Sequence, residues 1–318
     1  MDERGRLTDA LRIAGGPEES IFQPEWAPDG SLLFVSDRTG WWNLYRWDGE
    51  QIHPLAPMKA EFGLPQWQFG MRTYAVAEDG TLYALCGQSG RWQLIRLSLD
   101  GGEPEPIPLP FTQLSDPLLL EGDLYLFAAS PTEPWALIRY RPASSRWEVL
   151  RRSRENVPDR RYLSVPEPIA YPTTEGETAY GLYYPPTNPE YRAPTGELPP
   201  LIVTTHGGPT AAASDAFNLS IQYWTSRGFA VLDVNYRGEH RLRSSVPVST
   251  VREVGSLRRG RLRLWRALSG RAGESRPSSF DRPWRQRWRL HDVGCAHLPR
   301  DFSRGRQLLW DRRSSRVG

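Results

Sequence analysis

Leu201 to Thr210 reads LIVTTHGGPT. Five consecutive apolar or β-branched residues are the mark of a strand buried on both faces, and the run passes straight into His206-Gly207-Gly208-Pro209. Two glycines at that point let the backbone approach a ligand closely and aim N–H groups at developing negative charge. Downstream, Ser214 or Asp215 is the expected N-cap of a helix carrying Phe217, Ile221 and Trp224 on one face, with Gly228 as its stop. FAVLDVNY, Phe229 to Tyr236, is then a second buried strand. The order strand, loop, helix, strand predicts a parallel β-α-β unit. Upstream, ETAYGLYYPP (Glu177 to Pro186) supplies a further strand, set off from LIVTT by a Pro/Gly loop.

Residues 21 to about 150 follow a different period. Short alternating apolar runs are divided by turn signals, which predicts strands and not helices. A repeat runs through them. PEW (Pro24 to Trp26) pairs with PQW (Pro65 to Trp67), and the Asp29-Gly30 and Asp79-Gly80 turns pair with Gly122-Asp123. WNLYRW, WQLIRL and WALIRY begin at Trp42, Trp92 and Trp135, a spacing of roughly one four-stranded propeller blade. Each tryptophan is expected to fill the wedge between neighbouring sheets. Three blades are fewer than a closed propeller needs, so the expectation is a partial β-propeller with unpaired edges. An antiparallel sandwich with tryptophans in its core is the other arrangement this pattern allows.

The charges divide the chain at Gly238. Residues 1–238 hold 20 basic and 30 acidic side chains, and residues 239–318 hold 20 and 7, all the basic ones arginine. The second segment also lacks Tyr, Ile, Asn, Lys and Met, whereas the first holds all 13 tyrosines. The opening MDERGRLTDALRIAGG has no apolar core of a signal peptide, and no run is long enough to span a bilayer, so a cytoplasmic protein without membrane contact is expected. Cys86 and Cys295 lack metal-ligand spacing and are read as free thiols; no metal or other cofactor is expected.

SVPEPIAYP (Ser164 to Pro172), ELPPLIVTTHGGPT, FNLSIQYWTSRGFAVLDVNYRG and PEWAPDGSLLFVSDRTGWWNLYRW together resemble the prolyl oligopeptidase family of serine peptidases, and within it the dipeptidyl aminopeptidase and acylaminoacyl-peptidase branch. The resemblance runs from about Gly15 to Gly238. It implies a partial β-propeller over residues 1–160, the N-terminal part of an α/β-hydrolase over 161–238, and hydrolysis of short peptides by a Ser-Asp-His triad. His206, Gly207 and Gly208 would form the oxyanion-hole loop, and Tyr236 and Arg237 would border the active site. His206 is then structural and not the base, which in this fold lies near the C-terminal end of the domain.

The pattern breaks at Glu239. The family continues NYRG with STGYG and later a GxSxG nucleophile elbow; this chain continues EHRLR and contains no GxSxG. Ser244, Ser245, Ser278 and Ser279 lie in Arg-rich surroundings and carry little weight as nucleophiles. No intact catalytic residue is assigned, and the chain is expected to be inactive as written.

A shift of reading frame accounts for both the break and the composition. If Glu239 to Arg243 are GAG CAC CGG CTA CGG, a one-base advance reads STGYG. Trp284 to Val293 allows GGSAGGYTT under the same shift, and Arg304 to Trp310 allows AGASYYG. A GC-rich gene read out of frame also under-uses the missing residue types, and residues 239–318 are then expected to be a disordered tail. The alternative is a non-catalytic propeller module whose basic tail binds nucleic acid, a partner the frame-shift reading disfavours.

Overall fold

The structure is a computed structural model, which describes residues 10–172, 178–207, 211–235 and 294–296. Its first part is three successive four-stranded antiparallel sheets, each a simple meander. Blade 1 comprises β1 (Ile21–Trp26), β2 (Leu32–Ser36), β3 (Asn43–Trp47) and β4 (Ile52–Pro54). Blade 2 comprises β5 (Tyr74–Val76), β6 (Thr81–Gln88), β7 (Arg91–Ser98) and β8 (Glu105–Ile107). Blade 3 comprises β9 (Gln113–Leu120), β10 (Asp123–Ser130), β11 (Glu133–Arg141) and β12 (Arg146–Arg152).

The turns explain the repeat. At Ala27–Ser31 and again at Ala77–Thr81 the glycine has φ near +80° (Gly30 +85°, Gly80 +82°) and the aspartate carboxylate accepts the N–H two residues on, from Ser31 at 3.0 Å and Thr81 at 2.9 Å. These are Asx turns completed by a left-handed glycine. Ser89-Gly90 and Glu121-Gly122 each place both residues at positive φ between paired strand ends, as two-residue hairpins require to match strand twist.

Blade 2 is covered on both faces. Leu82, Ala84, Cys86, Ile95 and Leu97 face blade 1, with Leu33, Val35 and Leu44. Tyr83, Leu85, Trp92 and Leu94 face blade 3, with Leu124, Leu126, Ala136 and Ile138. This period of two, apolar on both sides, is why β6 reads almost continuously hydrophobic. Trp42 and Trp92 are buried in the first and second of these seams as the repeat predicts. Each has a glycine under its ring: a Cβ on Gly63 would lie 2.7 Å from Trp42, and one on Gly87 3.0 Å from Trp92. The repeat is corrected at one point. Pro65 to Trp67 is not the counterpart of Pro24 to Trp26, because Trp26 closes β1 whereas Trp67 lies in the loop between blades and β5 begins only at Tyr74.

The second part is a five-stranded mixed sheet. β13 (Glu167–Pro172) and β14 (Thr178–Tyr184) are antiparallel, β14 is antiparallel to β16 (Ala230–Val234), and β16 is parallel to β15 (Leu201–Thr205). Helix α1 (Leu219–Thr225) makes the crossover from β15 to β16 and packs Ile221 against Tyr184, Ile202 and Val231. Its N-cap is Asn218, whose side chain accepts from the Ser220 and Ile221 N–H groups, in place of the expected Ser214 or Asp215; Phe217 therefore precedes the helix. Gly228, at φ +87°, ends it as expected.

Gly294–Ala296 form the three-residue strand β17 antiparallel to β15, inside the segment read as a tail. The rest of 239–318 lies outside the described residues. No helix among the described residues is long and apolar enough to cross a membrane.

Candidate functional site

β15 ends at Thr205, and His206 and Gly207 follow at its C-terminal end, beside the end of the parallel neighbour β16. Gly207 is exposed, and a Cβ there would meet nothing within 4 Å, so the packing around it does not require a glycine. His206 Nδ1 has a long 3.5 Å contact with the Gly207 carbonyl oxygen. Asp233, on β16, accepts from the Thr204 hydroxyl at 3.2 Å. Burial holds the Asp233 carboxyl above the usual aspartate range, an effect reduced by the Thr204 hydrogen bond and by His206.

This end of the sheet opens on a cavity of about 480 Å³ between the mixed sheet and blades 2 and 3. Trp92, Trp135 and Leu114 form its blade side, and His206, Ala213, Phe217 and Asp233 its other side. The volume falls in the range of small-molecule sites, roughly 300–1,000 Å³. Trp135, third in the tryptophan repeat, thus has another use: with no following blade described to cover it, its half-buried ring faces this cavity.

The segment from Ala211 to Asn218 is gripped from two directions. The Ala213 N–H donates to Asn235 Oδ1 at 2.6 Å, within the mixed-sheet part. The Phe217 N–H donates to the Ser130 carbonyl at 2.8 Å, and Asp215 Oδ1 accepts from Gln113 Nε2 at 2.7 Å and from Thr112 Oγ1 at 2.9 Å, all across to blade 3. The chain joining the two parts is also pinned: Ser164 and Gln222 exchange two hydrogen bonds, of 2.7 and 3.0 Å.

Of the expected site residues, the structure places His206 in the cavity lining, with Gly207 following it as an exposed residue. Gly208, Tyr236 and Arg237 lie outside the described residues, as do Ser244, Ser245, Ser278 and Ser279. Asp215, Gln113, Trp92 and Trp135 escape sequence reading as site residues, since nothing local marks positions brought together across about a hundred residues. No group of three or more His, Cys, Asp or Glu able to hold a metal ion occurs among the described residues. Cys86 is a buried free thiol, with its pKa pushed up to about 11 by burial.

No family model matches the chain, and no curated protein matches it. Solved structures do. It is 35% identical to a puromycin hydrolase, with TM-score 0.69, over 74% of this chain and 36% of that one. It is 34% identical to a puromycin-hydrolyzing peptidase of Mycobacterium tuberculosis, with TM-score 0.72, over 76% of this chain and 37% of that one. A prolyl endopeptidase shares the fold at 16% identity and TM-score 0.57, over 73% of this chain and 33% of that one. The structural neighbours of the chain are thus puromycin hydrolases and prolyl oligopeptidase family members. Those neighbours carry a β-propeller; this chain has three successive four-stranded antiparallel meanders among its described residues. The chain spans a little over a third of the length of the two puromycin-hydrolysing relatives.

Proposed function

We propose that the cavity is part of a serine-peptidase site for short peptides, and that the chain as written is hydrolytically inactive. One observation supports the first half: the parallel strand β15 runs at its C-terminal end into His206, which lines a cavity walled by both halves of the molecule. In acyl transfer, backbone N–H groups in a turn at such a strand end stabilise the oxyanion of the tetrahedral intermediate, and the Gly207 and Gly208 amides are assigned that role. The puromycin-hydrolysing relatives support an amide-bond substrate, since puromycin joins an amino acid to its nucleoside through an amide.

The second half rests on sequence. Without a GxSxG turn no serine is presented to a carbonyl at the end of a central strand, and oxyanion donors alone leave only the residual catalysis seen when a triad is removed. The mixed sheet is read as the first part of an α/β-hydrolase, and residues 239–318 as the product of a shifted reading frame.

The test is direct. The purified chain, incubated with aminoacyl and acyl-aminoacyl anilides and with puromycin, is expected to release no product. Release that a serine-directed fluorophosphonate abolishes overturns the inactivity. The nucleotide sequence around the Gly238 codon tests the frame shift, and a reading that is in frame through that codon, with no nearby insertion or deletion, refutes it.

A further inference from the structure

Asp215 sits between two residues that line the cavity, Ser214 and Ala216, and has only 3% of its surface exposed, yet it belongs to a connecting loop. Buried carboxylates persist where hydrogen bonds and opposite charge compensate them. Here every such group comes from the blades. Thr112 and Gln113 donate to Oδ1, while Oδ2 makes no hydrogen bond and lies 3.5 Å from Arg91 Nε, on β7 of blade 2. Gln113 is itself held, since its Nε2 also donates to the Gly90 carbonyl at 2.8 Å in the β6–β7 turn. One carboxylate therefore joins the loop after the His206 turn to strands of two blades. Ala212, Ala213, Ser214, Ala216 and Phe217, on either side of it, all line the cavity.

We propose that Asp215 is a positioning residue: it makes the wall of the cavity conditional on blades 2 and 3 being docked, so that the propeller sets the site's shape as well as covering it. The loop has few other ties. Ala213 is held by Asn235, and Ser214 accepts the Tyr184 hydroxyl at a long 3.5 Å. Among the described residues, the hydrogen bonds from between Ser214 and Asn218 to other elements are those of Asp215 and Phe217, both to the blades. Loss of the carboxylate leaves Gln113 and Thr112 without their acceptor and frees the middle of the loop. The functional consequence rests on the peptide-site reading above; the mechanical claim does not.

The experiment is hydrogen exchange on the full chain and on its D215A and D215N variants. In D215A the Ala213, Ala216 and Phe217 amides are expected to exchange about tenfold faster or more, as loss of hydrogen bonds to a charged group implies, while amides of β7 and β16 keep their rates. D215N should stay within a few-fold of the parent, because its carbonyl oxygen still accepts from Gln113 and Thr112. Unchanged loop rates in D215A overturn the proposal, as does a common rise in loop, β7 and β16, or a D215N as loose as D215A. If D215A does not fold, Gln113→Ala serves instead, with a smaller rise confined to the same three amides; no confined rise overturns the proposal.

Puromycin binding, followed by the emission of Trp92 and Trp135, separates the two readings. Tight binding by parent and D215N, weakened about tenfold in D215A, supports positioning. A loosened loop in D215A with no binding by any form keeps the latch and removes the peptide-site reading. Equal binding by all three forms, with the loop loosened, overturns the functional role of Asp215.

Discussion

Raising the pH should loosen the seam between blades 1 and 2, through Glu61. This residue is 2% exposed, and its backbone N–H and carbonyl pair with Gly87 of β6 at 2.9 and 2.8 Å. Its Oε2 accepts the Trp42 N–H at 3.2 Å, and its Oε1 has no hydrogen-bond partner. Burial pushes the carboxyl from 4.5 up to about 7; the Trp42 hydrogen bond opposes the shift and the Asp37 charge adds to it. A raised folded pKa means that the folded state holds this proton more tightly than the unfolded chain. The stabilisation is complete below the unfolded pKa and is lost as pH rises through the folded one. At 1.36 kcal/mol per unit, the window from 4.5 to about 7 corresponds to about 3 kcal/mol.

Urea unfolding followed by tryptophan emission at about pH 5 and about pH 8 measures it, with Glu61→Gln as the control. Carboxylates stabilised by their partners, such as Asp159 at about 2, lose their contribution below this window and do not interfere. Asp233 is raised by burial and falls in the same direction, so the comparison is parent minus variant. Part of the stabilisation is already lost at about pH 5, so the parent should lose about 2–3 kcal/mol more than Glu61→Gln between the two pH values. Equal losses in the two proteins, or a greater loss in the variant, refute the reasoning.

Three further outcomes test the packing. Gly63→Ala puts a Cβ 2.7 Å from the Trp42 ring and should cost about 1–3 kcal/mol, read as a lower urea midpoint; an unchanged midpoint counts against Trp42 as the seam's filler. Gly181→Ala in β14 meets the Asp233 carbonyl oxygen at 2.9 Å, an atom fixed by the sheet. Amide exchange should rise in β14 and β16 and not in the blades, and a uniform response would contradict the pairing of those two strands. Ile202→Ala empties a 2% exposed position between α1 and β16 and should cost about 2–5 kcal/mol in urea unfolding, with a loss under about 1 kcal/mol sinking the helix-on-sheet arrangement.

Much of the fold is legible along the chain because its determinants are local. Asp29-Gly30 and Asp79-Gly80 announce turns, since a short carboxylate can accept a nearby N–H and glycine can take positive φ. LIVTT and AVLDV announce strands by their apolar and β-branched runs, although in β15 only Ile202 is fully buried, its other residues being half-exposed. Local signals also mislead: Pro65 to Trp67 copies the letters of β1 and lies in an exposed loop, and Asp215 looks like a helix cap while its carboxylate crosses to blade 3. A cap is chosen by where the chain turns into the helix, and that point is Asn218, held extended at φ −131°.

The sequence by itself determined the period of the blades, the parallel unit at Leu201 to Val234 and the glycine turn at its strand end, because each depends on residues a few positions apart. Tertiary structure alone decided that Trp135 would face a cavity, that one carboxylate oxygen of Glu61 would be buried without a hydrogen bond, and that Asp215 would meet Gln113 across 102 positions. Those outcomes follow from which faces of the sheets and loops pack together, and packing brings into contact side chains that nothing in the local sequence couples.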